Sequence, residues 1–514
     1  MSESKSNHFL KKEIGLYDLN IKVYQILILF CLLLGCFLVR FYRLTSLPVF
    51  ADEAIYVRWS QVMRSEAGLR FLPLQDGKQP FFMWLTIPFL KIFPKDPLLA
   101  GRMVSVFSGL ATLAAIFFLP FVLSWPFRVS LLAGLIYIFV PFAVFFDRMA
   151  LADSLLSAFG IWSLVFSLLI ARYRRLDLSM ILGFILGGAL LTKSPAVFSL
   201  ILSPVLIVFA FVLIYKQSLK KVFQLIPLIL TSLFIALAIY NILRLGESFH
   251  MIAIRNKDYL WPVKEIIKHP LDPLVPHLKD VFRYYWSYFT LPLLVLPFFI
   301  FLKKLDFKLL FLFFWWLIPL AAQSAMAKVF TARYILSGVP VWVLFSGLGL
   351  FYFWEKLNLR SYFCLFSILV VLLIPSFYFS YFLFFNPAKA PLPKDERMGY
   401  LEEWTAGWGI RETAEFLKSQ QIDNHIVIGT EGYFGTLPDG LQIYLEKEEG
   451  ITAIGVGYPI KSLPEPLSNA AEFGNRVYLV VNRSRFVPEP GFEPELIKEY
   501  PKPGGDSLLF LKIN

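Results

Sequence analysis

Asp52 and Glu53 stand side by side in LPVFADEAIY (47–56), directly after a long apolar run. Paired carboxylates at a membrane edge suit general-base work or cation binding, because a low dielectric raises one carboxyl pKa toward neutrality. The plainer alternative is an N-cap, with Asp52 capping a helix that starts near Glu53. Lys78 follows in QDGKQPFFMW (75–84), just ahead of a proline and an aromatic-rich stretch. An ammonium there can hold a lipid phosphate as a point charge, or simply snorkel to water. Arg148 and Asp153 flank a turn in FFDRMALADSLLSAF (145–159), as site residues or as a salt bridge or helix cap. Lys193 in LLTKSPAV (190–197) suits an anion site or a helix C-terminus, and Arg333 and Tyr334 in FTARYILSGVP (330–340) suit a site or interface anchoring.

These residues need elements to position them, and the composition says what kind. Of 514 residues 57% are hydrophobic, 17% aromatic and 17% charged, with a mean hydropathy of +0.63. A soluble domain is about half apolar and a quarter charged. Runs such as Tyr24–Val39 and Tyr362–Phe384 approach or reach the length that crosses a bilayer. The chain reads as an α-helical, multi-pass membrane protein.

Short basic loops (124–128, 172–175, 216–221, 303–308, 355–360) alternate with longer or carboxylate-bearing loops (42–100, 147–153, 246–283, 327–333). Placing the basic set in the cytoplasm gives consistent parity with about eleven spans. The expected spans are 23–41, 101–122, 129–146, 155–171, 178–192, 196–214, 222–244, 285–302, 308–325, 334–353 and 361–383. The apolar stretch 81–93 is too short to cross and reads as an interfacial or re-entrant helix. The N-terminus then lies in the cytoplasm as an uncleaved signal anchor, and every residue singled out above falls outside, at the plasma membrane surface.

After Phe385 the composition turns to Pro, charge and short alternating segments, with 13 basic against 19 acidic side chains. The remaining 36 basic and 18 acidic residues sit in the membrane part, so the net charge of +12 is topogenic and not a nucleic-acid footprint. Residues 1–384 form the expected membrane domain and 385–514 a small α/β domain outside. Within the latter, 386–397 (NPAKAPLPKDER) reads as a linker, 409–421 as a helix, and 425–429, 476–481 and 507–513 as strands.

Other chemistry has little support. The three cysteines lie in apolar runs, the five histidines show no tight ligand spacing, and no phosphate-cradling glycine motif occurs. Gly183 and Gly187 form a GxxxG that suits helix packing.

In order along the chain come an acidic pair after the first span, a lysine–proline interfacial helix, an Arg/Asp turn, a TK turn, and an RY before a late span. This pattern resembles the bacterial glycosyltransferases of the GT-C superfamily, and most of all the branch of protein O-mannosyltransferases and lipid A aminoarabinose transferases. The resemblance covers roughly Leu19–Pro340, with ADEAIY and GKQPFFMW as its strongest elements. It implies a GT-C-like bundle, a polyprenyl-phosphate-linked sugar donor, and inverting transfer to a protein, lipid or glycan acceptor. It also implies Asp52, Glu53 and Asp153 as the acidic groups, with Asp52 as base. Lys78 would hold the carrier phosphate, with Arg148, Lys193, Arg333 and Tyr334 as further ligands. Aminoarabinose transferases carry a metal-binding Glu immediately before that lysine; here Gly77 takes its place, which argues against a divalent metal of that type, and the acceptor need not be lipid A. The rival class, a lipid or polysaccharide transporter, calls for internal repeats and mid-span ionisable residues, and the sequence shows neither.

Overall fold

The computed structural model describes residues 13–14, 21–302, 306–357, 362–420 and 425–513. Most of the polar segment expected to be cytoplasmic at the N-terminus, and half of each of the basic loops 303–308 and 355–360, lie outside the described residues.

Each apolar segment expected to cross a membrane is helical. In chain order the principal helices of the first part are α1 (Val23–Phe41), α2 (Ala51–Ser65), α3 (Phe81–Ile92), α4 (Pro97–Val122), α5 (Phe127–Phe139), α6 (Ala152–Tyr173), α7 (Leu176–Thr192), α8 (Val197–Phe209), α9 (Ile226–Tyr240), α10 (Leu271–Val295), α11 (Phe307–Met326), α12 (Val339–Lys356) and α13 (Tyr362–Phe385). Among the described residues eight helical segments, not about eleven, are long and apolar enough to cross unaided. The other three fall short for local reasons. α5 stops at Val140 because Pro141 has no N–H to continue the ladder, and a six-residue helix, Pro141–Phe146, carries the path on. α7 has 17 residues. α10 carries charge through its first half and kinks at Thr290 (φ 64°), two residues before Pro292. The 12 residues of α3 span only about 18 Å at 1.5 Å each, too little to cross.

Gly183 and Gly187 pack against α9: a Cβ at either would come within 2.7 Å of Ile235 or Ile239. This is the close helix approach expected of a GxxxG.

The C-terminal part is an α/β unit on five strands: β1 (Ile426–Thr430), β2 (Ile451–Gly455), β3 (Arg476–Asn482), β4 (Glu495–Pro501) and β5 (Ser507–Lys512). Their order is β2-β1-β3-β5-β4, with β1 parallel to both β2 and β3, and β5 antiparallel to β3 and β4. Helices α14 (Ile410–Ser419), α15 (Asp439–Leu445) and α16 (Glu465–Glu472) cover it. The unit is joined to the bundle at α2. Val49 and Phe50 pair antiparallel with Gly407 and Ala406, and the Ala51 N–H donates to the Thr405 carbonyl (3.1 Å). Further along, Gln61 donates to the Ile443 carbonyl (2.8 Å) and Arg64 pairs with Glu446 (2.7 Å). Residues 386–397 are no solvated linker: Arg397 bonds the carbonyls of Ala388 and Ala390, and Glu396 is buried.

Candidate active site

α2 begins at Ala51, and its first turn turns the two carboxylates in different directions. Glu53 reaches back to the Phe50 N–H (3.0 Å), so the capping carboxylate is Glu53 and the N-cap alternative for Asp52 is overturned. Glu53 is wholly buried and also takes the Ala150 N–H (2.6 Å) and a bidentate pair from Arg102 (2.8 and 2.7 Å). Arg102 spends its other donors on the carbonyls of Leu44, Leu47 and Pro48. A carboxylate with four donors and no exposure has no room for a reactant, so Glu53 positions the turn that carries Asp52.

Asp52 faces a cluster of cations. Arg333 donates to its Oδ2 (2.6 Å) and the Lys78 ammonium lies 3.7 Å from Oδ1. Burial opposes ionisation, but the charges of Arg333 and Lys78 outweigh it and hold the Asp52 carboxyl well below the usual carboxylate range. Lys78 in turn lies 3.4 Å from Asp76 and over the rings of Tyr56 (5.3 Å) and Trp59 (6.0 Å). Burial works against its charge, while Tyr56, Asp52 and Asp76 more than restore it, so the ammonium is held well above the ordinary lysine value.

Asp153, in the first turn of α6, accepts from Lys193 (2.6 Å), whose ammonium lies 4.8 Å from the Tyr334 ring. Burial lowers the Lys193 pKa against the pull of Asp153, and Arg333 adds to the lowering. The structure thus brings together Asp52, Lys78, Asp153, Lys193, Arg333 and Tyr334, with Asp52 and Arg333 paired across 281 residues of chain.

Arg148 does not join them. It is wholly buried and donates to the carbonyls of Val39, Arg40, Tyr42 and Arg43, in the last turn of α1 and the residues just after it. Its place as a phosphate ligand is corrected to that of a helix cap.

Three residues of the site were not singled out from the sequence. Asp76 is two positions before Lys78 and is held by Arg255 (2.5 Å), from the helix Met251–Tyr259. Its spacing in QDGK was visible; its partner, 179 residues away, was not. Glu396 accepts the Ala332 N–H (3.0 Å), next to Arg333, and burial pushes its carboxyl up to about 7.

Gly77 explains itself. It sits at φ +69°, and a Cβ there would lie 2.6 Å from Arg255 Cβ. A Glu at this position would be strained and would collide. Asp52 and Asp76 are occupied by side-chain cations, and among the described residues no three His, Cys, Asp or Glu converge. This donor set does not fit a divalent metal.

The apolar helical bundle with its α/β unit has a fold seen in solved structures of membrane proteins. The chain is similar over 95% of its length to ArnT from Cupriavidus metallidurans, covering 98% of that chain in its complex with undecaprenyl phosphate (TM-score 0.54, 14% identity). The apo form of the same protein matches with a TM-score of 0.55, over 97% of that chain at 14% identity. No protein-family model matches the chain, and no characterised protein matches it by sequence.

Proposed function

We propose that the protein is a glycosyltransferase that takes a sugar from a polyprenyl-phosphate donor and passes it, with inversion, to an acceptor on the outer face of the cell membrane. The observation that carries this is Asp52 held between Arg333 and Lys78. Two cations at the end of an apolar bundle are what a lipid phosphate needs, and the ArnT structure with undecaprenyl phosphate adds support from a protein of the same fold. Outward placement rests on the alternation of basic and acidic loops.

The electrostatics suggest how binding primes the reaction. With the site empty, Asp52 is too acidic to be an effective base. A donor phosphate competes for Lys78 and Arg333, and as they turn to it Asp52 loses the charges that depress its pKa. The carboxylate then takes the proton of the acceptor hydroxyl. The acceptor oxygen attacks the anomeric carbon opposite the phosphate, its bond forms, and the carbon–phosphate oxygen bond breaks with its electron pair leaving on the carrier phosphate. Lys78 and Arg333 stabilise that charge. Lys193, held by Asp153, stands ready beside them.

The test is release of carrier phosphate from radiolabelled polyprenyl-phosphate sugars by purified protein, with a membrane extract as acceptor source. Asp52→Asn keeps shape but cannot take a proton, so turnover per folded molecule should fall by roughly 10² to 10⁴, while the lost charge opposite Arg333 lowers the melting temperature without unfolding the protein. Near-normal turnover in this variant would sink the assignment.

A further inference from the structure

The C-terminal unit has a cleft of about 480 Å³ that the transfer chemistry does not use. Its position follows from topology. β1 lies between the other two parallel strands; the chain passes from it to β2 on one side, and then crosses back to β3 on the other. In open α/β sheets, ligands bind at the carboxyl ends of the strands where the order reverses in this way. The loops leaving all three parallel strands line the cleft: Tyr433 and Phe434 after β1, Tyr458 after β2, and Arg485 after β3, with Trp404 from the segment before α14.

The lining is specific in kind. The Arg485 guanidinium lies 3.8 Å from the Trp404 ring centre and 4.3 Å from that of Tyr458, with Glu431 at 3.5 Å. Glu431 is itself fixed by two 2.7 Å bonds from Asn482, whose side-chain oxygen accepts from Lys502. A fixed planar donor therefore stands among flat rings. Tyr433 and Tyr458 are 77% and 61% exposed, which no packing role explains. Besides these rings and Arg485 the lining holds only two glycines, with no aliphatic side chain of the kind a peptide helix would seek. A pyranose has apolar C–H faces and a rim of hydroxyls, and it matches rings interleaved with fixed donors and acceptors. The cleft adjoins the site: Phe434 of its lining packs on Trp59 (5.6 Å between ring centres), and Trp59 faces Lys78.

We propose that the cleft at the carboxyl ends of β1, β2 and β3 binds a saccharide segment of the acceptor. The use made of that saccharide rests on the glycosyltransferase reading above; the binding itself does not. Stacking on Tyr433, Tyr458 and Trp404 holds the glycan, Arg485 bonds its hydroxyls, and the path past Phe434 leads its end toward Asp52.

Saturation-transfer NMR on the full-length protein in nanodiscs, without donor, tests this with maltohexaose, chitohexaose and hexagalacturonic acid. Saturation of ring C–H protons is expected for at least one of them. It should be lost in Tyr458→Ala and Tyr433→Ala, whose exposed rings contribute little to folding, and kept in Asp52→Asn. In the transfer assay the same two ring variants should raise the acceptor KM by roughly tenfold and leave kcat and donor KM unchanged. No saturation transfer to any of the three, or equal transfer in the ring variants, overturns the proposal. So does transfer to a control decapeptide in place of the sugars, which would assign the cleft to a polypeptide. Saccharide binding in a wild type that releases no carrier phosphate would instead overturn the transferase reading and leave the cleft standing.

Discussion

Replacing Glu53 by Gln separates the two neighbouring carboxylates more sharply than any change at Asp52. Each Glu53 oxygen faces two donors: Oε1 takes Arg102 Nε and the Ala150 N–H, and Oε2 takes Arg102 Nη2 and the Phe50 N–H. A glutamine supplies one acceptor and turns two N–H bonds against the other pair of donors. It also leaves Arg102, with no exposed surface, without a counter-charge. Removing one partner of such a buried pair costs about 3–5 kcal/mol. Spread over a chain of this size, that corresponds to a fall in melting temperature of roughly 5–10 °C. Thermal unfolding of the purified protein in detergent, followed by intrinsic fluorescence, reads it directly. Turnover per folded molecule should stay within roughly threefold of wild type, because Glu53 touches no reactant. A variant that melts with wild type yet loses turnover would refute this reasoning and make Glu53 a direct participant.

Other outcomes follow from the same geometry. Lys78→Ala should weaken binding of a polyprenyl-phosphate donor by roughly 10- to 100-fold in equilibrium titration of the folded protein, since it removes a charge-assisted contact. Burial pushes the Glu396 carboxyl up to about 7, so its proton stabilises the fold at low pH and that contribution is lost as pH climbs through about 7. Glu396→Gln keeps an acceptor for Ala332 and stays neutral, so its melting temperature should lie close to wild type near about pH 5 and exceed it near about pH 8. A single cysteine in place of Arg174 should be shielded from an impermeant reagent added outside intact cells, and one in place of Glu472 labelled; the reverse pattern would invert the proposed orientation.

Legibility in the sequence followed the range of the interactions. The helices were readable because apolarity is a local, continuous property: α1 coincides with its expected span from Val23 to Phe41. The strand β4 was missed because ELIKEYP faces water along most of its length and offers no apolar stripe. Asp52, Lys78 and Arg333 could be named from their spacing relative to apolar runs, yet nothing in that spacing tells a phosphate ligand from a cap. Arg148 shows the failure plainly, since its role depends on four carbonyls more than 100 residues earlier. Glu396 failed the other way. A stretch rich in proline and charge looks solvated, and only tertiary packing shows that one carboxyl in it lies beneath the arginine loop.

The short ladder between Val49–Phe50 and Ala406–Gly407 has a consequence for how the protein is made. The turn that presents Asp52 is held by a strand that leaves the ribosome about 350 residues later, which at 5–20 residues per second is a delay of some tens of seconds. Through that interval Glu53, with Arg102 and the Ala150 N–H, already holds the first turn of α2, but the Phe50 edge has no partner strand. Assembly order therefore completes the turn that carries Asp52 only after the whole membrane part has been made. A truncation before Thr405 would leave the Phe50 edge permanently without its partner strand.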